Sequence, residues 1–207
     1  IALLYFTSFF SLINPLGSMP VFLTMTANLD KKERTRTALK AVLTAFITLL
    51  IFAFGGQMLF KFFGISVDSF RVVGGIIFFM MGYDMLNARL SSLKSINPNE
   101  VKEYVDDISI TPLGIPMIAG PGAITNAIVL MQDSETFMLK AVLIGTIVFT
   151  MLLTIIIYIS GSSIVKFLGD TGNKIMLKLM GLIVMVIAVE FFFAGLTPII
   201  QGILKIQ

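Results

Sequence analysis

The sequence predicts an all-α membrane protein: six transmembrane helices, arranged as two inverted-topology three-helix repeats. The first and fourth spans are expected to be broken at proline–glycine motifs. Three observations predict this fold. There are apolar runs long enough to cross a bilayer, basic residues that alternate in density between connections, and an internal repeat at an offset of about 106 residues.

Composition sets the class. Of 207 residues, 57% are hydrophobic and 13% charged, whereas an ordinary soluble domain carries about 25% charged residues. The mean hydropathy is +0.96. Cysteine and histidine are absent, which excludes disulfides, thiol nucleophiles, histidine bases and the zinc and haem sites that need these ligands. No catalytic residue, metal or cofactor is expected. The net charge of +3 is small and unevenly spread, which suits orientation in a lipid bilayer rather than nucleic-acid binding.

Six apolar segments follow in order, at about 1–28, 38–60, 70–88, 110–131, 138–165 and 175–200. Each is close to the ~20 residues that cross a hydrocarbon core. The first lacks a basic leader, and its apolar stretch exceeds that of a signal peptide, so it reads as a retained span. Its middle is "INPLGSMP" (13–20), and the fourth span holds "TPLGIPMIAGPGAIT" (111–125). Connections fall at 29–37, 61–69, 89–109, 132–137 and 166–174. The polar stretch 91–107, with a turn at Asn97-Pro98, reads as a solvated linker between halves. The chain is thus one transmembrane domain: repeat 1 over 1–90, a cytoplasmic linker over 91–107, and repeat 2 over 108–207.

Lysine and arginine orient it. Lys31, Lys32, Arg34, Arg36, Lys40, Arg89, Lys94, Lys102, Lys166, Lys174 and Lys178 lie on one side, against Lys61, Arg71, Lys140 and Lys205 on the other. The positive-inside rule places the first group in the cytoplasm and both termini outside. In a bacterium this means a multi-pass inner-membrane protein.

The repeat is carried by scattered matches. Pro15 falls on Pro121, Met25 on Met131, Gly75 on Gly181, Asp84 on Glu190, Ala88 on Ala194 and Leu90 on Leu196. Lys61-Phe62-Phe63-Gly64 falls on Lys166-Phe167-Leu168-Gly169 one register earlier. Three spans per half force the second half to enter from the opposite side. That arrangement is associated with secondary transport.

The chemistry is expected where the helices break. Interior prolines remove backbone donors, and the residues before them (Asn14, Met19, Ile115, Gly120) are biased away from helical geometry. Irregular backbone survives in a membrane only within protein or facing a wet cavity. Half-helix N-termini suit a carboxylate, and exposed carbonyls suit an ammonium. Neither motif contains a charged side chain, which favours a small neutral or zwitterionic solute. Asn14, Pro15, Gly17 and Pro20 form one expected wall, and Ala119, Gly120, Pro121, Gly122, Ala123 and Thr125 the other. Ser11, Ser18 and Asn126 are further polar candidates. The bland alternative is that these small residues serve helix packing alone. "GPGAIT" lacks the third glycine and preceding strand of a dinucleotide fingerprint. Asp84 and Glu190 are candidates for ion or proton coupling, or alternatively for interfacial or helix-pairing roles.

With "NPLGSMPVF" (14–22) and "PLGIPMIAGPGAIT" (112–125) in view, the chain resembles the MarC family of six-span bacterial and archaeal membrane proteins, over essentially its whole length. The resemblance extends to archaeal transporters of small neutral amino acids such as glycine and alanine, driven by an ion gradient. It implies alternating-access transport, with the stretches 14–20 and 119–124 as the substrate site. The family name is tied to a multiple-antibiotic-resistance locus, which does not establish drug export. Other readings of the residues stay open: an exporter or channel for another small neutral solute, a membrane-embedded enzyme using Asp84 and Glu190, or an accessory subunit.

Overall fold

The computed structural model of the chain describes residues 1–87 and 101–204. Ala88, Arg89, Leu90, Lys94, the Asn97-Pro98 turn and Lys205 lie outside the described residues. Those described are mostly helical, in the order α1 (Ala2–Ile13), α2 (Pro15–Met25), α3 (Lys31–Phe63), α4 (Val67–Leu86), α5 (Val101–Ile108), a wide π-type coil (Ser109–Ile118), α6 (Pro121–Asp133) and α7 (Phe137–Leu204). Five stretches are long and apolar enough to cross a membrane, with a sixth if Val101–Ile118 and Pro121–Asp133 count together.

The connections are shorter than the sequence suggests, because local caps extend the helices. The Asp30 carboxylate accepts the Glu33 N–H at 2.7 Å and starts α3 at Lys31, so most of the expected loop 29–37 is helix. Gly64, at φ 64°, ends α3 in the left-handed conformation glycine adopts without penalty. Ser66 then caps α4 through the Ser69 N–H. The end of the expected linker is also helical. In α5, Val101, Tyr104, Val105 and Ile108 recur at helical spacing and turn inward. The Tyr104 hydroxyl donates to the Met25 carbonyl at 2.8 Å, and Lys40 pairs with Asp106.

The expected connection at 166–174 is likewise helical, since α7 runs from Phe137 to Leu204. Its direction nevertheless reverses. The Phe149 ring packs 5.4 Å from that of Phe6, whereas Phe191 and Leu12 both crowd Gly122. Phe6 and Leu12 are ~9 Å apart along α1, but 42 residues of straight helix would separate Phe149 from Phe191 by ~63 Å. The chain therefore doubles back between its two apolar arms, Phe137–Gly161 and Lys178–Leu204.

Three packing units surround the centre. In the first, α1 and α2 lie on the first arm of α7. Phe22 stacks on Tyr158 with ring centroids 4.5 Å apart, and Gly161 accommodates Met19 and Leu23. In the second, α3 packs on the π-type coil and α6, with Gly114 against Thr44 and Gly56 against Ile128. In the third, α4 runs antiparallel to the second arm of α7 at backbone contact. A Cβ at Gly75 would lie 2.8 Å from the Ala188 carbonyl oxygen, and one at Gly82 would lie 2.8 Å from that of Gly181. Glycine lets the two backbones meet at this crossing, as small residues do between membrane helices.

Candidate functional site

The first break is a helix stop and restart written in four residues. Asn14 takes φ 45° and ψ 62°, a left-handed conformation that asparagine tolerates better than most residues. Its N–H closes α1 on the Phe10 carbonyl, and its side-chain oxygen accepts the Gly17 N–H at 3.1 Å to cap α2. Pro15 occupies the first helical position, where a missing N–H costs nothing. Gly17 leaves room for the cap, since a Cβ there would sit 2.3 Å from Asn14 Nδ2. The Ser18 hydroxyl donates to the Asn14 carbonyl at 3.1 Å and lies 2.8 Å from the Tyr158 hydroxyl, which reaches it from α7.

Pro20 does not break α2. It lies inside the helix, and Met19 stays helical against its expected bias. One proline removes a single N–H, the one Leu16 would have bonded, and α2 continues past it. The other three pre-proline residues do leave helical geometry.

The second break is longer. Thr111 (φ −132°, ψ 125°) and Ile115 (φ −131°, ψ 125°) are extended ahead of Pro112 and Pro116, as the following ring demands. The Ala119 N–H returns to the Gly114 carbonyl at 2.9 Å. Gly120, at φ −78° and ψ 167°, opens α6 with Pro121 in the first position and no side-chain cap. The two helical stretches on either side meet at 60°, the geometry of a broken span or a re-entrant loop.

A cavity of about 70 Å³ lies between the breaks. One water needs ~10–15 Å³ on this scale and takes up ~30 Å³ in the liquid, so the cavity has room for a few water-sized groups. From the first unit it is lined by Ser11, Leu12, Ile13, Asn14, Gly17, Ser18 and Val21. The second contributes Met117 and Gly122, and the third Phe78, Met81, Met85, Val184, Ile187 and Phe191. Among the described residues, this lining contains no charged side chain.

Of the residues expected at the site, Asn14, Gly17 and Gly122 line the cavity, with Ser11 and Ser18 beside them. Pro15, Pro20, Ala119, Gly120, Pro121, Ala123 and Thr125 are buried around it without lining it. They are the scaffold of the breaks: Phe78 crowds Gly120, and Pro121 crowds Gly74. Thr125 Oγ1 and Asn126 Nδ2, one turn beyond Gly122, are buried without a hydrogen-bond partner among the described residues. None of the six lining residues from α4 and the second arm of α7 was expected at the site; the sequence reads the Phe191-Phe192-Phe193 run and the methionines as lipid-facing or packing residues, whereas Phe191, Met81 and Met85 line the cavity. The signal that could have found them is the expected offset of 106, at which Phe78 and Val184, Met81 and Ile187, and Met85 and Phe191 fall in pairs.

Asp84 is half-buried and Glu190 exposed, and neither lines the cavity. Because a Cβ at Gly75 would meet both the Ala188 carbonyl oxygen and the Phe192 nitrogen, Glu190 stands nearly level with Gly75. The two acids are thus about nine residues apart along the pair, or ~13 Å. Among the described residues, no group of three or more acids could hold a metal ion.

Comparison with known proteins gives a consistent picture. A family described as MarC family integral membrane protein matches residues 1–200. A UPF0056 membrane protein of Pyrococcus horikoshii is 38% identical, over 94% of this chain and 93% of its own. One from Methanocaldococcus jannaschii is 36% identical over 94% and 95%, and one from Bacillus subtilis is 40% identical over 92% of each. No solved structure matches.

Proposed function

The chain belongs to the MarC family of integral membrane proteins, and on that premise we propose that it is a secondary transporter of small neutral amino acids. It works by alternating access through the cavity between Asn14 and Gly122. The observation that carries this reading is the cavity: small, free of charged side chains, and set between two helix interruptions.

Contacts that interchange under the repeat support an inverted two-fold. An offset of 106 carries Gly75 to Gly181 and Gly82 to Ala188. The contact of Gly75 with Ala188 therefore becomes that of Gly181 with Gly82, as a two-fold axis requires. The units interchange as well. Gly56 of α3 receives α6, and Gly161 of α7, at an offset of 105, receives α2. Each moving unit in this proposal therefore combines the broken span of one repeat with the second helix of the other. The α4–α7 crossing is the frame against which they rock.

Ligand chemistry follows from the two breaks. The uncapped N-terminus of α6 receives the carboxylate through the backbone at Gly122, with Thr125 and Asn126 as adjoining donors. Backbone carbonyls near Asn14 receive the ammonium. Asp84 stands between the cavity-lining Met81 and Met85 and is the acid better placed to couple a proton. The positive-inside distribution supports an inner-membrane protein with both termini outside. The ~13 Å stagger of Asp84 and Glu190, and their absence from the cavity lining, favour transport over an enzymatic acid–base pair, while the open space between the breaks favours it over a purely structural subunit. Detergent-solubilised protein should gain thermal stability with glycine or alanine, as any ligand specific to the folded state confers. No stabilisation by any small neutral amino acid would remove the substrate assignment.

A further inference from the structure

The start of α3 carries a cationic face that the transport site does not use. Lys31, Lys32, Thr35, Arg36 and Leu39 line an open groove of about 680 Å³ there. The neighbouring acids are engaged elsewhere: Asp30 caps the helix through the Glu33 N–H, and Glu33 turns Oε2 into the interior. Arg34 donates to the Thr26 carbonyl at 3.0 Å, and Lys40 pairs with Asp106. The ion pairs among the described residues are Lys40–Asp106 and Arg71–Asp68, so Lys31, Lys32 and Arg36 are in no direct ion pair there, and Arg36 feels the already paired Asp106 only at longer range.

The same face continues as an apolar file. At 100° per residue, Lys32, Arg36, Leu39, Leu43 and Ile47 fall within about 80° of one another around α3. Leu39, Leu43 and Ile47 are 50%, 58% and 48% exposed. From Arg36 to Ile47 the helix rises ~16 Å, the depth of one leaflet of a ~30 Å hydrocarbon core.

We propose that this face binds an anionic phospholipid. Lys32 and Arg36 hold the phosphate, with Lys31 alongside, and an acyl chain lies along Leu39, Leu43 and Ile47. A guanidinium matches phosphate geometry through paired N–H donors, and the ammonium groups add charge without demanding orientation. Charge complementarity selects the headgroup, and the apolar file distinguishes a lipid from a soluble phosphate. This inference rests on the chain being an integral membrane protein and is independent of what it transports.

Native mass spectrometry of the full chain in detergent tests it, with added phosphatidylglycerol or phosphatidylcholine of the same acyl composition. The wild type should prefer phosphatidylglycerol by about thirtyfold, the factor expected from two basic side chains at an anionic surface. Lys32→Gln with Arg36→Gln should abolish the preference, while Lys61→Gln, at the far end of α3, should keep it. Circular dichroism and a monodisperse elution profile would establish that each variant is folded. Equal retention of the two lipids by the wild type would overturn the proposal, as would a preference that survives the double substitution. Displacement of the lipid by glycerol phosphate alone would also overturn it, by identifying a soluble headgroup site.

Discussion

Replacing Gly17 with alanine tests the logic of the first break at one atom. The added Cβ would lie 2.3 Å from Asn14 Nδ2, 2.8 Å from Cγ and 2.9 Å from Oδ1. The asparagine side chain must swing away, and its 3.1 Å bond to the Gly17 N–H is lost. Losing an N-cap costs about 1 kcal/mol, and a buried N–H left without an acceptor costs about 1–3 kcal/mol. These describe the same broken bond and are not added. Alanine returns at most ~1 kcal/mol of helix propensity, so at full return the net loss is ~0–2 kcal/mol. At ~2–4 °C per kcal/mol for a chain of this size, the midpoint should fall by up to ~8 °C. Asn14→Gly keeps the left-handed conformation and loses only the cap, so it should cost less. Asn14→Ala also strains a left-handed residue by ~1–2 kcal/mol and should cost more. Thermal unfolding followed by size-exclusion recovery in detergent gives the order. A Gly17→Ala protein more stable than the wild type would refute the cap as the reason for glycine.

Gly82→Ala should destabilise strongly, because its Cβ meets the Gly181 carbonyl oxygen at 2.8 Å. Gly145→Ala, with nothing within 4 Å, should be neutral or slightly stabilising in the same melting assay. Tyr158→Phe keeps the stack on Phe22 and removes the hydroxyl that meets Ser18, so it should cost ~1 kcal/mol, measurable as a midpoint shift of ~2–4 °C. In this cysteine-free chain, a short bifunctional thiol reagent bridging Leu12→Cys to Gly122→Cys should halt exchange in liposomes. Bridging Met19→Cys to Gly161→Cys, within one unit, should spare it; the reverse result would exclude the proposed units.

Much of the fold was legible because a membrane constrains it. Spans of ~20 apolar residues and their basic flanks are visible in sequence, as is the proline–glycine clustering at 14–20 and 112–122. What escaped was decided by individual side chains. That Asn14 would cap α2 needed Gly17 three residues later, and that Pro20 would pass through a helix depended on its losing a single bond. Asp30 and the inward face of α5 made helix of residues that composition alone assigns to loops. Six of the fifteen cavity-lining residues come from α4 and α7, where Phe78, Met81 and Ile187 look like any other apolar residues of a span. Only their relation at a fixed offset sets them apart. Of the expected wall residues, Asn14, Gly17 and Gly122 line the cavity, and most of the prolines and glycines shape the backbone behind its surface.

The central claim is carried of a small neutral amino acid between the two sides of a membrane. Its most direct test is counterflow: purified protein in liposomes preloaded with unlabelled glycine or alanine, with radiolabelled glycine or alanine added outside. Transport through this cavity predicts transient accumulation of label above the protein-free level, abolished by the Leu12→Cys/Gly122→Cys bridge. Label that stays at the protein-free level with glycine, alanine and every other small neutral amino acid would contradict it.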